Sequence, residues 1–523
     1  MEVVEDAFDF VIVGAGSAGC ALAGRLSADP DVRVALVEAG GPDRHPAIQA
    51  PMDLFGLFGS ELDWAFTTEP QRGLGGRAVP WPRGRTLGGS STINFQMWVP
   101  GHREDFGPWG EHWTWEAVEP YFRAAERWAG DPAQGYGFGT GGPLWISPPR
   151  DPDPHTATFL AACAELGLKE IGGGLGGGDP TGATVTPLNQ LRGARWSAAD
   201  GYLRPVLDRP NLQVVTGAQV HRVNIERGRA TGVSLGDRTL HAAREVVLSA
   251  GAVGSPHLLL LSGIGAADEL HEVGIDVLVE LPGVGRNLRD HMSVSPTMSA
   301  TGEFRLVGAD TDANRLRYAE QRLGPLTSNL AEAVCFLRAD GGPGAPDVEI
   351  IFTPVGFGPE GPVPGIGFTV IPLQPESHGR LGLRSADPLD PPWIDPAYLD
   401  AGADLRMFVR ALRHAERLFE TDPFRPMVGG PLPPWPGQVD DDALARVVRD
   451  QATTMFHPVG TCRLGPAGDE QAVVDPSLRV RGVERLRVVD ASVIPSLPRG
   501  HTHAVVAMLA ERAAGFITED ARA

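Results

Sequence analysis

The chain opens on an apolar run, Phe8–Val13, in which β-branched and aromatic side chains follow one another, and a second run covers Arg33–Glu38. Such runs predict strands covered on both faces, as in a parallel sheet. Between them lie a glycine-rich turn, Gly14–Gly19, and an alanine-rich helical segment, Cys20–Ser27. The unit reads strand, turn, helix, strand. From Gly40 to Pro108 the pattern is loop-like. Helical spacing returns over Trp113–Trp128, an irregular loop follows at Gly130–Gly142, and a helix is expected over His155–Leu166. The glycine run Gly172–Gly178 ends it as a loop. Further on, the pattern predicts a helix at Ser197–Leu207 and strands at Leu212–Thr216, Val220–Glu226 and Glu245–Ala250. Beyond about Thr301 the composition changes, with strands at Val348–Thr353 and Gly367–Pro372 and helices at Leu405–Glu420 and Asp441–Asp450. No internal repeat is evident.

With 523 residues, the chain exceeds what one hydrophobic core usually serves. The elements predict an α/β fold of two domains: a Rossmann-like dinucleotide domain from 1–150, 196–300 and 453–523, and a substrate domain from 151–195 and 301–452, the latter with an antiparallel sheet and helices. Gly 67 and Pro 47, spread without a period, fit long loops. The net charge of −20 argues against a nucleic-acid partner. Lys169, the only lysine, sits in a polar stretch and is a poor Schiff-base residue. Four scattered cysteines give neither a zinc site nor a disulfide framework. The acidic start MEVVEDAFDF lacks a signal-peptide pattern, and no apolar stretch is long enough to span a bilayer. These features predict a cytoplasmic protein with no membrane partner, and they leave the oligomeric state, monomer or homodimer, open.

In the turn, Gly14 permits the tight bend, Gly16 lets backbone approach a pyrophosphate ahead of Ser17, and Gly19 lets helix pack on strand. Glu38, ending the second strand, is placed to accept hydrogen bonds from adenosine ribose hydroxyls and to repel a 2′-phosphate. This motif alone does not decide between NAD and FAD.

The segment Gly84-Arg-Thr-Leu-Gly-Gly-Ser-Ser-Thr-Ile-Asn94 resembles the first signature of the glucose–methanol–choline oxidoreductases. The second is similar to Gly251-Ala-Val-Gly-Ser-Pro-His-Leu-Leu-Leu-Leu-Ser-Gly-Ile-Gly265, continued by Pro282-Gly-Val-Gly-Arg-Asn-Leu-Arg-Asp-His291. C-terminal blocks at Phe456–Gly465 and Leu486–Pro495 complete the resemblance, which runs from residue 8 to about 517. It implies FAD, with Gly14, Gly16, Gly19 and Glu38 at its ADP half and Val220 touching adenine through backbone. It further implies Gly88, Ser91 and Asn94 near pyrophosphate and ring, and Asp490 beside the ribityl chain. Some members attach the flavin to a histidine in this loop; Ile93 stands there, so non-covalent FAD is expected.

Alcohol oxidation removes a hydroxyl proton and a hydride from one carbon, so a base titrating near neutrality is needed beside the flavin. By resemblance that base is His457, with His501 as the partner that hydrogen-bonds the alcohol oxygen. His501 and His503 also suggest a metal pair, but no carboxylate or cysteine lies at ligand spacing; no metal is expected. Phe95 replaces a normally small residue, and it either narrows the cavity or turns into the core. Phe456, Trp98 and Phe352 are aromatic candidates for pocket or core alike. The expected reaction is oxidation of a small-molecule alcohol, with oxygen, a quinone or another acceptor reoxidising the flavin. The rivals are a lyase or photodecarboxylase of the same fold, which for decarboxylation needs a pocket cation that the sequence does not locate, and a flavin carrier without chemistry.

Overall fold

Strand Val34–Val37 is buried at every position and Ala7–Val13 from Phe10 onward, as runs without polar breaks require when both faces of a sheet are covered. The computed structural model describes residues 7–131, 137–171, 175–236, 238–359 and 361–522. Residues 1–6, the middle of the loop expected at Gly130–Gly142 (132–136) and the start of the glycine run (172–174) lie outside them.

The first sheet runs in the order Leu212–Val215, Val34–Val37, Ala7–Val13, Arg238–Leu248, Arg229–Leu235, Arg222–Glu226. The first four strands pair in parallel, and the last two add antiparallel. Leu486–Val488 pairs in parallel with the far half of Arg238–Leu248, so a segment near the C-terminus completes a sheet begun at residue 7. Helix Ser17–Leu26 crosses between the first two strands and packs on the long C-terminal helix Thr502–Arg522. The second sheet is antiparallel, in the order Val428–Pro431, Thr297–Ala300, Gly365–Pro372, Val348–Thr353, Ala333–Leu337, Gly182–Val185. After contributing Gly182–Val185, the chain re-enters this sheet at Thr297, ahead of the boundary expected at 301. The architecture is α/β.

Several elements depart from their expected bounds. The helix expected over Trp113–Trp128 stops at Ala125, and Glu126–Trp128 becomes a strand beside Leu144–Ile146. Glu126 is the cause: its buried carboxylate accepts from the Trp98 indole and from Gly139 N. In place of a helix over Ser197–Leu207 there is one π turn, Ala199–Leu203, and a 3₁₀ turn, Arg204–Val206. Pro205 has no N–H to continue a ladder. Glu245–Ala250 is the end of the longer strand Arg238–Leu248, and the strand expected from Val220 starts at Arg222. The second signature forms helix Gly251–Leu261. No helix among the described residues is long and apolar enough to cross a membrane.

Candidate active site

The edges of the parallel strands open on one cavity of about 950 Å³, lined from Glu38 and Val220 at one end to His457 and His501 at the other. Gly14, Gly16, Ser17, Ser91, Asn94 and Asp490 also line it. Gly19 and Gly88 do not; they act one layer behind. A Cβ on Gly19 would fall 1.9 Å from Gly14 O, so only glycine lets the helix start against the turn. Gly88 N donates to Ala15 O at 2.8 Å, binding the second glycine loop to the first. A Cβ on Gly89 would sit 2.7 Å from Gly16 Cα. The two loops touch backbone to backbone.

Glu38 is held by Ala15 N (2.9 Å) and Gly40 N (2.8 Å). Burial nevertheless pushes its carboxyl up to about 7, because these two amides do not replace the water it has lost. Hydroxyl donors from a ligand would supply the rest. The Ser91 hydroxyl donates to Gly88 O and accepts from Ala198 N, so Ser91 meets the cavity with its backbone. Asn94 Oδ1 accepts from Arg195 and from Gln96 N, which leaves its amide N–H groups for a ligand. Asp490 is likewise occupied: one oxygen accepts from Gly251 N and Ser255 Oγ, the other from Ser492 N and Ser492 Oγ. Its carboxylate fixes the start of helix Gly251–Leu261 at the cavity wall and is not free to bind a ligand's hydroxyls. This set — a buried acceptor, two touching glycine loops and a long cavity — fits a dinucleotide such as FAD.

At the other end, Phe456 sits in the left-handed region (φ 64), held by Arg83 Nη2 to Phe456 O (2.8 Å) and by Phe456 N to Thr454 Oγ1 (2.7 Å). Such backbone persists only where surrounding contacts enforce it, and here it presents the next residue to the cavity. His457 N donates to Asp290 Oδ1 at 2.8 Å. Its ring stands 4.7 Å from that of His501, centroid to centroid.

The protons on these rings follow from their partners. His291 Nε2 lies 2.9 Å from Leu373 O, and a carbonyl only accepts, so Nε2 carries the proton. Burial holds His291 down to about 4, so the ring is neutral and its Nδ1 is an acceptor. His457 Nδ1, 3.0 Å away, must then be the donor. That leaves His457 Nε2 as an unprotonated nitrogen with no protein partner among the described residues. Burial, then His501, His291 and Arg83, hold this imidazole well below the ordinary 6.5. His501 Nε2 lies 2.9 Å from Glu349 Oε1, both side chains buried, and the carboxylate orients the ring as an acceptor for its N–H.

Sequence reasoning singled out neither His291 nor Glu349. The signals were there: the pair Asp290-His291 ends the quoted second-signature segment, and Glu349 is the one charge in the apolar strand Val348–Thr353. His503 lines the cavity too, edge-on to Trp98, with both ring nitrogens lacking a protein partner among the described residues. Among the described residues no cluster of three His, Cys, Asp or Glu is arranged to hold a metal ion. Of the aromatic candidates, Phe95 and Phe456 line the cavity, whereas Trp98 and Phe352 are core.

Two GMC oxidoreductase family models match the chain, one over residues 8–293 and the other over 375–510. An uncharacterised GMC-type oxidoreductase of Mycobacterium tuberculosis is 43% identical, over 97% of this chain and 99% of its own. The alcohol dehydrogenase [acceptor] of Pseudomonas putida is 39% identical, over 98% and 95% respectively. Among solved structures, a variant of Aspergillus oryzae formate oxidase, described for the effect of its mutation on FAD modification, superposes with a TM-score of 0.90 at 31% identity, covering 99% of both chains. The chain therefore belongs to the GMC oxidoreductase family and is a flavoprotein oxidoreductase.

Proposed function

We propose that the protein oxidises the CH–OH group of a small-molecule alcohol, with His457 as general base. The observation that carries this is the ordered histidine chain, which leaves Nε2 of His457 unprotonated at the cavity beside His501. FAD, when bound, accepts the hydride from the carbinol carbon. His457 Nε2 takes the hydroxyl proton, so the alcohol leaves as a carbonyl compound. His501, whose Nε2–H is given to Glu349, stands beside His457 and positions the alcohol for that transfer. Glu38, Gly14, Gly16 and Ser17 hold the ADP half, and the Val220 backbone meets adenine. Gly88, Ser91 and Asn94 shape the pyrophosphate and ring site, with Asp490 acting through the helix it caps.

The cofactor is held without a covalent bond. Ile93 offers no nucleophile at the cavity wall and packs with Ile48, Leu57 and Leu62. Residues around the first sheet form the FAD-binding domain and those around the second the substrate domain. Oxygen, a quinone or a protein carrier closes the cycle.

Anaerobic stopped-flow mixing of the holoenzyme with alcohols tests this reading. His457→Ala is expected to retain FAD yet bleach it ~10²–10⁴-fold more slowly, the usual reach of base catalysis. A His457→Ala enzyme that bleaches at the wild-type rate refutes the mechanism.

A further inference from the structure

Five phenylalanines from four segments form a continuous path between the protein surface and the histidine pair. Phe55 and Phe58 belong to the turn that begins at Pro51, Phe95 follows the serine loop, Phe357 lies on strand Gly356–Gly358, and Phe456 precedes His457. Phe357 and Phe55 are at the rim, 48% and 51% exposed, with ring centroids 6.4 Å apart. Phe55 reaches Phe95 at 6.0 Å and Phe58 at 6.1 Å. Phe58 then meets Phe456 at 5.7 Å. Phe58 and Phe95 pack against a small apolar cluster of Leu54, Leu306, Leu330 and Val355, separate from the main core.

Large rings left half in water at a cavity mouth leave much of their apolar surface unburied by the fold, and contiguous exposed apolar surface of this kind marks a binding site. Among the described residues of 51–58, 93–97, 330–331, 351–369 and 453–457, those that line the cavity include no carboxylate, lysine or arginine, and the neighbouring Arg83 is spent on Pro82 O and Phe456 O. Asp53, two residues before Phe55, is paired with both terminal nitrogens of Arg315, at 2.5 and 2.8 Å. Aromatic side chains can also cage a cation, but here Phe55 makes near-perpendicular contacts with Phe58, Phe95 and Phe357 (81°, 80° and 88°), so ring faces are covered by ring edges.

Building on the alcohol-oxidation reading, we propose that the substrate is an uncharged alcohol whose carbinol carbon carries an aryl or alkyl group, and that Phe55 and Phe357 are specificity-determining residues which admit that group along the ring path to His457.

The test is kcat/KM of the holoenzyme, with anaerobic flavin bleaching as a second readout. The panel has an aryl arm (benzyl and 4-methylbenzyl alcohol), an alkyl arm (ethanol to 1-octanol), choline and glucose. In the alkyl arm kcat/KM is expected to rise about 4-fold per methylene until the path is filled. The better of the two arms identifies the natural body of the substrate. Phe55→Ala and Phe357→Ala, exposed positions at which the fold should survive, are expected to lower the 1-octanol to ethanol ratio by about 2- to 12-fold each. An unchanged ratio in both variants overturns their role. A preference for choline or glucose overturns the substrate class while leaving alcohol oxidation intact; an enzyme bleached by no alcohol takes both down.

Discussion

His291 does not line the cavity, yet the position of the His457 proton depends on it. In His291→Leu the acceptor for His457 Nδ1–H, now 3.0 Å away, is removed. The buried imidazole then gains by moving its proton to Nε2, where the cavity can solvate it, and that tautomer is no base toward an alcohol. A buried donor without its partner costs about 1–3 kcal/mol, which shifts the tautomer ratio by about 5- to 150-fold. The rate of anaerobic flavin reduction should fall by a similar factor, with FAD content and its visible spectrum kept. His291→Asn is the control, since its Oδ1 can stand where Nδ1 was and accept the same hydrogen bond. It should restore most of the rate. If His291→Leu reduces flavin as fast as wild type, the assignment of protons along Leu373, His291 and His457 is wrong. If Asn and Leu are equally slow, His291 matters only as packing.

Glu38 carries a pH dependence. Its folded value, about 7, lies above the ordinary 4.5, so the folded apoprotein holds a proton there that the unfolded chain releases. This contribution to apoprotein stability is fully present below pH 4.5 and is lost as pH rises through 7, about 3 kcal/mol in all. FAD needs the ionised form as acceptor, so its dissociation constant is expected to rise as pH falls from 8 to 6. Glu38→Gln should bind about 10-fold or more weakly at pH 8 and lose the pH slope; equilibrium titration of apoprotein with FAD showing a flat wild-type profile would contradict this. Glu349→Gln should slow flavin reduction about 10-fold or more by loosening His501, less than His457→Ala does, with FAD retained. A wild-type rate there would mean that the His501–Glu349 bond does not serve the reaction.

Local chemistry was legible wherever it is carried by neighbours in sequence. The turn Gly14–Gly19, its flanking strands and Glu38 are one short unit, and backbone sterics at glycine specify it without help from the rest of the chain. Strand Val348–Thr353 was also read correctly, since an unbroken apolar run has few other uses. Ser197–Leu207 was misread because helical spacing competes there with Pro205 and with the Asp200 carboxylate, which accepts from Ser197 N and Oγ. The end of the helix at Ala125 was invisible, because Glu126 leaves it for Trp98, a partner 28 residues back.

The sequence by itself specified the dinucleotide turn and the glycine–serine loop, each a contiguous motif, and resemblance pointed to His457 inside Phe456–Gly465 and to His501 by its distance from Asp490. Only the tertiary structure decided what those groups do electrically. The His457 proton is set by His291, 166 residues away, and through it by a carbonyl a further 82 residues on. His501 is oriented by Glu349 across 152 residues. A tautomer, and the pKa behind it, belong to the partners and the loss of water around a ring, and neither exists until distant strands have packed. The five-ring path arises in the same way: no two of its four segments are neighbours in the chain, and apolar residues acquire a common direction only once the fold brings them together.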